Sequence, residues 1–134
     1  MIAAAGCGLP SGSSETVLEG VAPDRVVEAF KTIAHEEGYR IEEDTATPGV
    51  LTTEWRQDMA MTWRDGKRRR VKLETAAAGE GTRVSIQVPV EINKEMRAPL
   101  NPEAADWSAD GRSIDDEMLL MMRLQMKLEL MRPD

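Results

Sequence analysis

SIDDEMLLMMRLQMKLELM, residues 113–131, is the longest helical signal in the chain and the stretch on which its fold turns. Ser113 suits an N-cap, and Asp115, Asp116 and Glu117 place carboxylates in the first turn, at the positive end of the helix dipole. At about 100° per residue, Ile114, Met118, Leu120, Met121, Leu124, Leu128 and Met131 form one broad apolar stripe, wide enough to cover one face of a small sheet. Leu119, Met122, Met126 and Leu130 project from another side, separated from the stripe by narrow polar strips around Arg123, Lys127 and Glu129. One small sheet cannot bury both sides. The second side is therefore either a docking surface for a partner or a face covered by another helix or loop of the same chain.

Upstream lies a long connection, residues 93–112, holding Pro99, Pro102, Trp107 and Gly111; connections of this length are usually functional or disordered. Before it the apolar period is 2 rather than 3.6. Val84, Ile86, Val88, Val90 and Ile92 alternate as the clearest strand, with Pro89 expected at an edge or a bulge because it cannot donate to a ladder. Gly79-Glu80-Gly81 predicts a turn, and Asp65-Gly66 a two-residue hairpin pairing 59–64 with 67–75. Residues 39–41 and 50–55 read as two further strands around the Thr47-Pro48-Gly49 turn. A register conflict remains: with Val71 and Leu73 facing the core, Met59, Met61 and Trp63 face outward, yet Leu51 and Trp55 share their parity and look like core. A bulge near Gln57-Asp58 or a break between strands would resolve it.

The first helix is marked at both ends. Pro23 fits the first helical position, Val26, Val27, Phe30, Ile33 and Ala34 form its apolar stripe, and Gly38 stops it. A short strand, residues 16–21, precedes it. The expected architecture is α+β, an antiparallel four- to five-stranded sheet with two helices on one face, in a single domain over residues 15–131.

At 134 residues the length suits one core. A net charge of -7, from 24 acidic and 17 basic residues, argues against nucleic-acid binding by overall charge. No apolar run approaches the ~20 residues of a spanning helix. The lone Cys7 excludes an internal disulfide, and no zinc-type cysteine and histidine spacing exists. His35 falls opposite the stripe of the first helix, as a surface residue. Glu42-Glu43-Asp44 and Asp115-Asp116-Glu117 lack the spaced oxygen ligands of a hard-metal loop, and no phosphate loop or nucleophile elbow appears. No catalytic residue, metal or cofactor is expected.

The basic run Arg64, Lys67, Arg68, Arg69, Arg70 and Lys72 stands out in an acidic chain. It reads either as a solvated strand face paired with acids such as Glu54, or as a contact patch for anionic headgroups or an acidic partner, with Trp63 stacked on an arginine. The candidate partner-binding set is accordingly Leu119, Met122, Met126 and Leu130 with Trp63, Arg68, Arg70 and Trp107.

At the N-terminus, Ala4-Ala5-Gly6-Cys7 resembles the lipobox of bacterial lipoproteins, in which the cysteine becomes the acylated N-terminus; alanine replaces the usual leucine. Six residues precede Cys7, with no Lys or Arg and no full apolar segment, so a start further upstream is expected. By the sorting rule of that family, Gly8 implies the outer membrane. Residues 9–14 read as a flexible tether. With Gly49-Val50-Leu51-Thr52-Thr53-Glu54-Trp55 and Gly81-Thr82-Arg83-Val84-Ser85-Ile86, the order of lipobox, tether, strand, helix, meander and long final helix resembles the helix-grip lipoprotein component of the outer-membrane β-barrel assembly machinery. That resemblance implies a helix-grip fold and a non-catalytic, lipid-anchored module on the periplasmic side of the outer membrane, an accessory in outer-membrane protein assembly. The implied partners are the membrane through Cys7 and an envelope protein or a second copy. The alternative is a small-ligand carrier or enzyme using the groove between the final helix and the sheet.

Overall fold

The structure, a computed structural model, describes residues 12–42, 49–58, 66–94 and 105–131. Helix α1 (Pro23–Glu36) follows strand β1 (Ser14–Leu18) and begins with Pro23 in the position where a missing N–H costs nothing. It ends as the glycine foretells. Gly38 takes φ 89°, and the Tyr39 amide reaches back to the Ala34 carbonyl at 2.9 Å, closing the helix and turning the tyrosine into the core.

Six strands then run β2 (Val50–Thr52), β3 (Arg56–Asp58), β4 (Lys67–Arg69), β5 (Lys72–Ala78), β6 (Gly81–Gln87) and β7 (Pro89–Asn93). Strand β8 (Trp107–Arg112) and helix α2 (Ile114–Met131) complete the chain. The fold is α+β, as expected, but the ladder divides into two four-stranded antiparallel sheets, β1-β6-β5-β2 and β3-β4-β7-β8. Both helices pack on the first sheet and on each other. Their buried residues, from Val26, Phe30 and Ile33 to Leu120, Leu124 and Leu128, form one cluster with Leu51, Leu73, Val84 and Ile86.

The division has a chemical cause. β4-β5 and β6-β7 keep one pairing register across the gap, from Lys72↔Gln87 to Arg69↔Val90. At the Arg70 and Pro89 rung, Arg70 still donates to the Pro89 carbonyl at 3.4 Å, but Pro89 has no N–H to return. At the neighbouring rung, Val71 exchanges two bonds with Thr53, through the Thr53 amide and hydroxyl, at 3.0 and 2.9 Å. Val88 has no strand on its outer side, because β1 ends its pairing at Ile86 and β8 begins at Pro89. Helix α2 fills that gap. The Ser113 amide donates to the Val88 carbonyl at 2.8 Å, and the Val88 amide donates to the Glu117 carboxylate at 2.9 Å.

Several sequence expectations change. Strand β8 lies inside the expected loop and pairs with β7 around a bulge at Asp110-Gly111, where Gly111 takes φ 78°. The bulge expected near Pro89 is this one. Lys67 pairs with Asp58 and not with Arg64, as a two-residue turn at Asp65-Gly66 would require; residues 59–65, Asp65 among them, lie outside the described residues. The register conflict resolves by the second of the two alternatives, a break between strands, with β2 in one sheet and β3 in the other. From Thr52 to Arg56 the chain advances four residues against three on the partner side, Lys72 to Arg69, so the extra residue falls within Thr53–Trp55. Residues 39–41 contribute only the bridge Ile41↔Thr53.

The apolar stripe of α2 is also narrower than the periodicity predicts. Leu120, Met121, Leu124 and Leu128 are buried, but Ile114 and Met118 are exposed, and fully buried Glu117 takes a place on the inner face. Ser113 caps the helix as expected, its hydroxyl accepting the Asp116 amide at 3.3 Å and donating to the Asp116 carboxylate at 2.8 Å.

Candidate functional site

The outward side of α2 carries most of the exposed large apolar side chains among the described residues. Met118 is 61% exposed, Leu119 39%, Met122 50%, Met126 58% and Leu130 86%. With Ile114, the residues 114, 118, 122, 126 and 130 follow an i, i+4 spacing, which forms a single ridge along the helix. Neither α1 nor β8 covers it, and Trp107 instead belongs to β8.

The ridge borders an open sheet edge. β1 is the terminal strand of the first sheet, bonded to β6 on one side, and among the described residues nothing pairs with its other side. Between that edge and the helix runs a groove of about 560 Å³, walled by Ser14, Glu15 and Thr16 on one side and by Met118, Leu119, Met121 and Met122 on the other. Ser14 is fixed there by its hydroxyl, which donates to Glu117 at 2.8 Å.

The candidate basic and aromatic residues gather elsewhere. Arg68 lies between the rings of Trp55 and Trp107, at 4.4 and 4.6 Å from their centroids, and Arg70 lies over Trp55 at 4.7 Å. Arg68 also donates through Nε and Nη2 to Glu91 at 2.8 and 2.5 Å, its cross-strand partner. This cluster belongs to the second sheet, on the face opposite Arg69, which reaches Asp116 of α2 at 3.2 Å. Arg68, Arg70 and Trp107 are thus brought together, but with each other and with Trp55 and Glu91, not with the methionine ridge. Among the described residues the acids that pair with the basic run are Glu91, Asp116 and, for Lys72, Glu74; Arg64 lies outside the described residues. Trp63 and Cys7 lie outside the described residues.

On the helix-facing side of the second sheet, Arg56 and Arg69 stand directly opposite one another, with Lys67 two residues along β4. They border an open cavity of about 330 Å³. Arg56 donates to the Glu37 carbonyl at 3.2 Å and sits 5.6 Å from the ring centroid of Tyr39. Burial pushes the Tyr39 phenol above its ordinary value of 10.0, while Arg69 and Arg56 pull it back. The sequence missed this cation face because strand parity, not composition, puts alternate members of the basic run on opposite sides.

Among the described residues no group of histidines, cysteines and carboxylates is arranged to hold a metal ion, and no helix is long and apolar enough to cross a membrane. His35 is exposed. No protein-family model and no curated protein matches this chain.

A phenol whose pKa is raised by folding contributes stability that is complete below pH 10.0 and is lost as pH rises through the folded value. Urea unfolding at about pH 9 and about pH 11 should therefore show a smaller loss for Tyr39→Phe than for the parent. Equal losses in the two proteins would contradict the assignment.

Proposed function

We propose that this chain is a non-catalytic binding module, held by lipid on Cys7 at the periplasmic side of the outer membrane, whose β1-α2 groove accepts an extended segment of a partner protein. The observation that carries this reading is the coincidence of an unpaired sheet edge with an exposed ridge of flexible apolar side chains. An edge strand offers backbone donors and acceptors that only another extended chain satisfies in series. Methionine adapts to varied apolar side chains more readily than branched residues do. Glu15 stands in the groove wall, and Asp115 is exposed on α2 one turn before Met118 and Leu119. The segment that fits is therefore apolar and extended, with basic flanks.

The lipid anchor rests on the small residues Ala4, Ala5 and Gly6 before Cys7 and on the resemblance they carry. Two or three acyl chains hold a protein on a membrane far more stably than one, without a spanning helix. Expressed from its gene with the upstream region in place, the parent should fractionate with the membrane and Cys7→Ser with the soluble periplasm. Equal solubility of the two would remove the anchor from the account.

For the groove, peptides selected by display against the whole chain should alternate apolar residues and slow hydrogen exchange at the β1 amides. Because both methionines are exposed, Met118→Gln with Met122→Gln should weaken those peptides by about tenfold or more while shifting the melting temperature by no more than about 2 °C. Unchanged peptide binding in the double variant would contradict the proposal. So would a large drop in melting temperature, which would mean that the side chains are enclosed. A concentration-dependent doubling of mass, abolished by the same variant, would give the groove to a second copy instead.

A further inference from the structure

We infer that the cationic cavity of the second sheet is an oxyanion-binding site, taking a phosphate-class group either free or as the headgroup of an anionic phospholipid. The inference is independent of the β1-α2 groove, which lies on the first sheet.

Strand β4 presents its basic residues to two faces with different chemistry. On one face Arg68 meets Glu91 directly across the β7 rung and donates two hydrogen bonds to it. On the other face Arg69 meets Arg56 across β3 and Val90 across β7, so the row contains no acid. Like charges directly opposite one another on adjacent strands destabilise a sheet. The chain has no shortage of carboxylates to relieve this, with 24 acidic residues against 17 basic.

The neutralisation that exists is incomplete. Among the described residues Asp116 is the one carboxylate in an ion pair with Arg56, Lys67 or Arg69, and it is shared between Arg69 and the Ser113 hydroxyl. Arg56 is held by uncharged partners, the Glu37 carbonyl and the Tyr39 ring. Lys67 is exposed and enters no ion pair among the described residues. Asp58 occupies the register position opposite Lys67, so the centre of the site is the Arg56 and Arg69 rung.

Geometry then selects the ligand. Opposed side chains on neighbouring strands have Cβ atoms about 5 Å apart, so two guanidinium groups can bracket one anion. Their planar donor forks match phosphate oxygens in bidentate fashion. The cavity of about 330 Å³ is lined as well by Gln57, Val90 and Arg68, the last already paired with Glu91, and it leaves room for more than a bare ion. Arg69 is already oriented by Asp116 and Arg56 by Glu37, so little side-chain freedom is lost on binding.

Two probes test the site on the whole chain. Inorganic phosphate is titrated with amide NMR detection, and co-sedimentation is measured with phosphatidylcholine vesicles with and without phosphatidylglycerol. Arg56→Gln should weaken binding by about tenfold or more, the loss of one charge-assisted pair of hydrogen bonds. Arg83→Gln, which removes the same charge from an exposed position on β6, should leave it within about twofold. Saturable shifts at residues 56, 67 and 69 with phosphate would assign a free anion. Binding to the phosphatidylglycerol vesicles alone would assign a headgroup. If Arg56→Gln fails to fold, Lys67→Gln replaces it, being exposed and outside every described ion pair. Failure of both probes to bind, or equal weakening by the Arg83 control, would overturn the inference.

Discussion

The backbone of Val88 is the point on which the structure depends. Its N–H and C=O face outward from the long hairpin, at a place where β1 has ended and β8 has not begun. Buried backbone groups without partners cost about as much as a lost hydrogen bond each, and Val88 is fully buried. Helix α2 answers both groups, the carbonyl with the Ser113 amide and the amide with the Glu117 carboxylate. A buried carboxylate is itself costly; here it accepts a hydrogen bond from the Ser14 hydroxyl and is paired in charge with Arg112, whose Nη1 lies 3.2 Å away without hydrogen-bond geometry. One side chain thus ties α2 to β1, to the start of β7 and to the end of β8. Removing one partner of such a buried set generally costs about 3–5 kcal/mol, more than most single apolar contacts.

That tie determines what the rest of α2 can do. With Glu117 turned inward, Leu120, Met121, Leu124 and Leu128 follow it onto the sheet and α1. Met118 and Met122 are then carried to the outside, beside the free edge of β1, which the same carboxylate holds through Ser14. The C-terminal half of the helix is tied to α1 by Arg123, which bonds Glu36 at 2.6 Å and also Glu37. The groove is therefore a consequence of how the core closes. Beyond the helices, the second sheet presents one face with Arg68 sandwiched and paired and the other with Arg56 opposite Arg69.

Much of this was legible in the residues, where local chemistry decides. Pro23 and Gly38 bound α1, Ser113 starts α2, Gly79 marks a hairpin turn with φ 63°, and the alternation from Val84 onward gives the central strand. The exposed set Leu119, Met122, Met126 and Leu130 also follows from the helical period. What was not legible depends on pairing at long range. WSADGR has a turn-like Asp-Gly and little strand propensity, and it becomes β8 because β7 needs a neighbour. Asp65-Gly66 has the composition of a tight turn, yet Lys67 pairs with Asp58, a partner that local composition does not name. Glu117 looked like a dipole-compensating acid of the first turn, and only the unpaired Val88 amide explains why it is buried. The split of the basic run between two faces likewise follows from a register that composition does not contain.

The central claim is that Glu117 supplies the missing ladder partner of Val88, and native-state hydrogen exchange at the Val88 amide tests it most directly. The account predicts that this proton exchanges as slowly as that of Ile86 in the middle of the first sheet, through global unfolding, and that Glu117→Ala makes it exchange at a rate approaching that of exposed turns. A Val88 amide that exchanges rapidly in the parent, or one equally protected in Glu117→Ala, would contradict it.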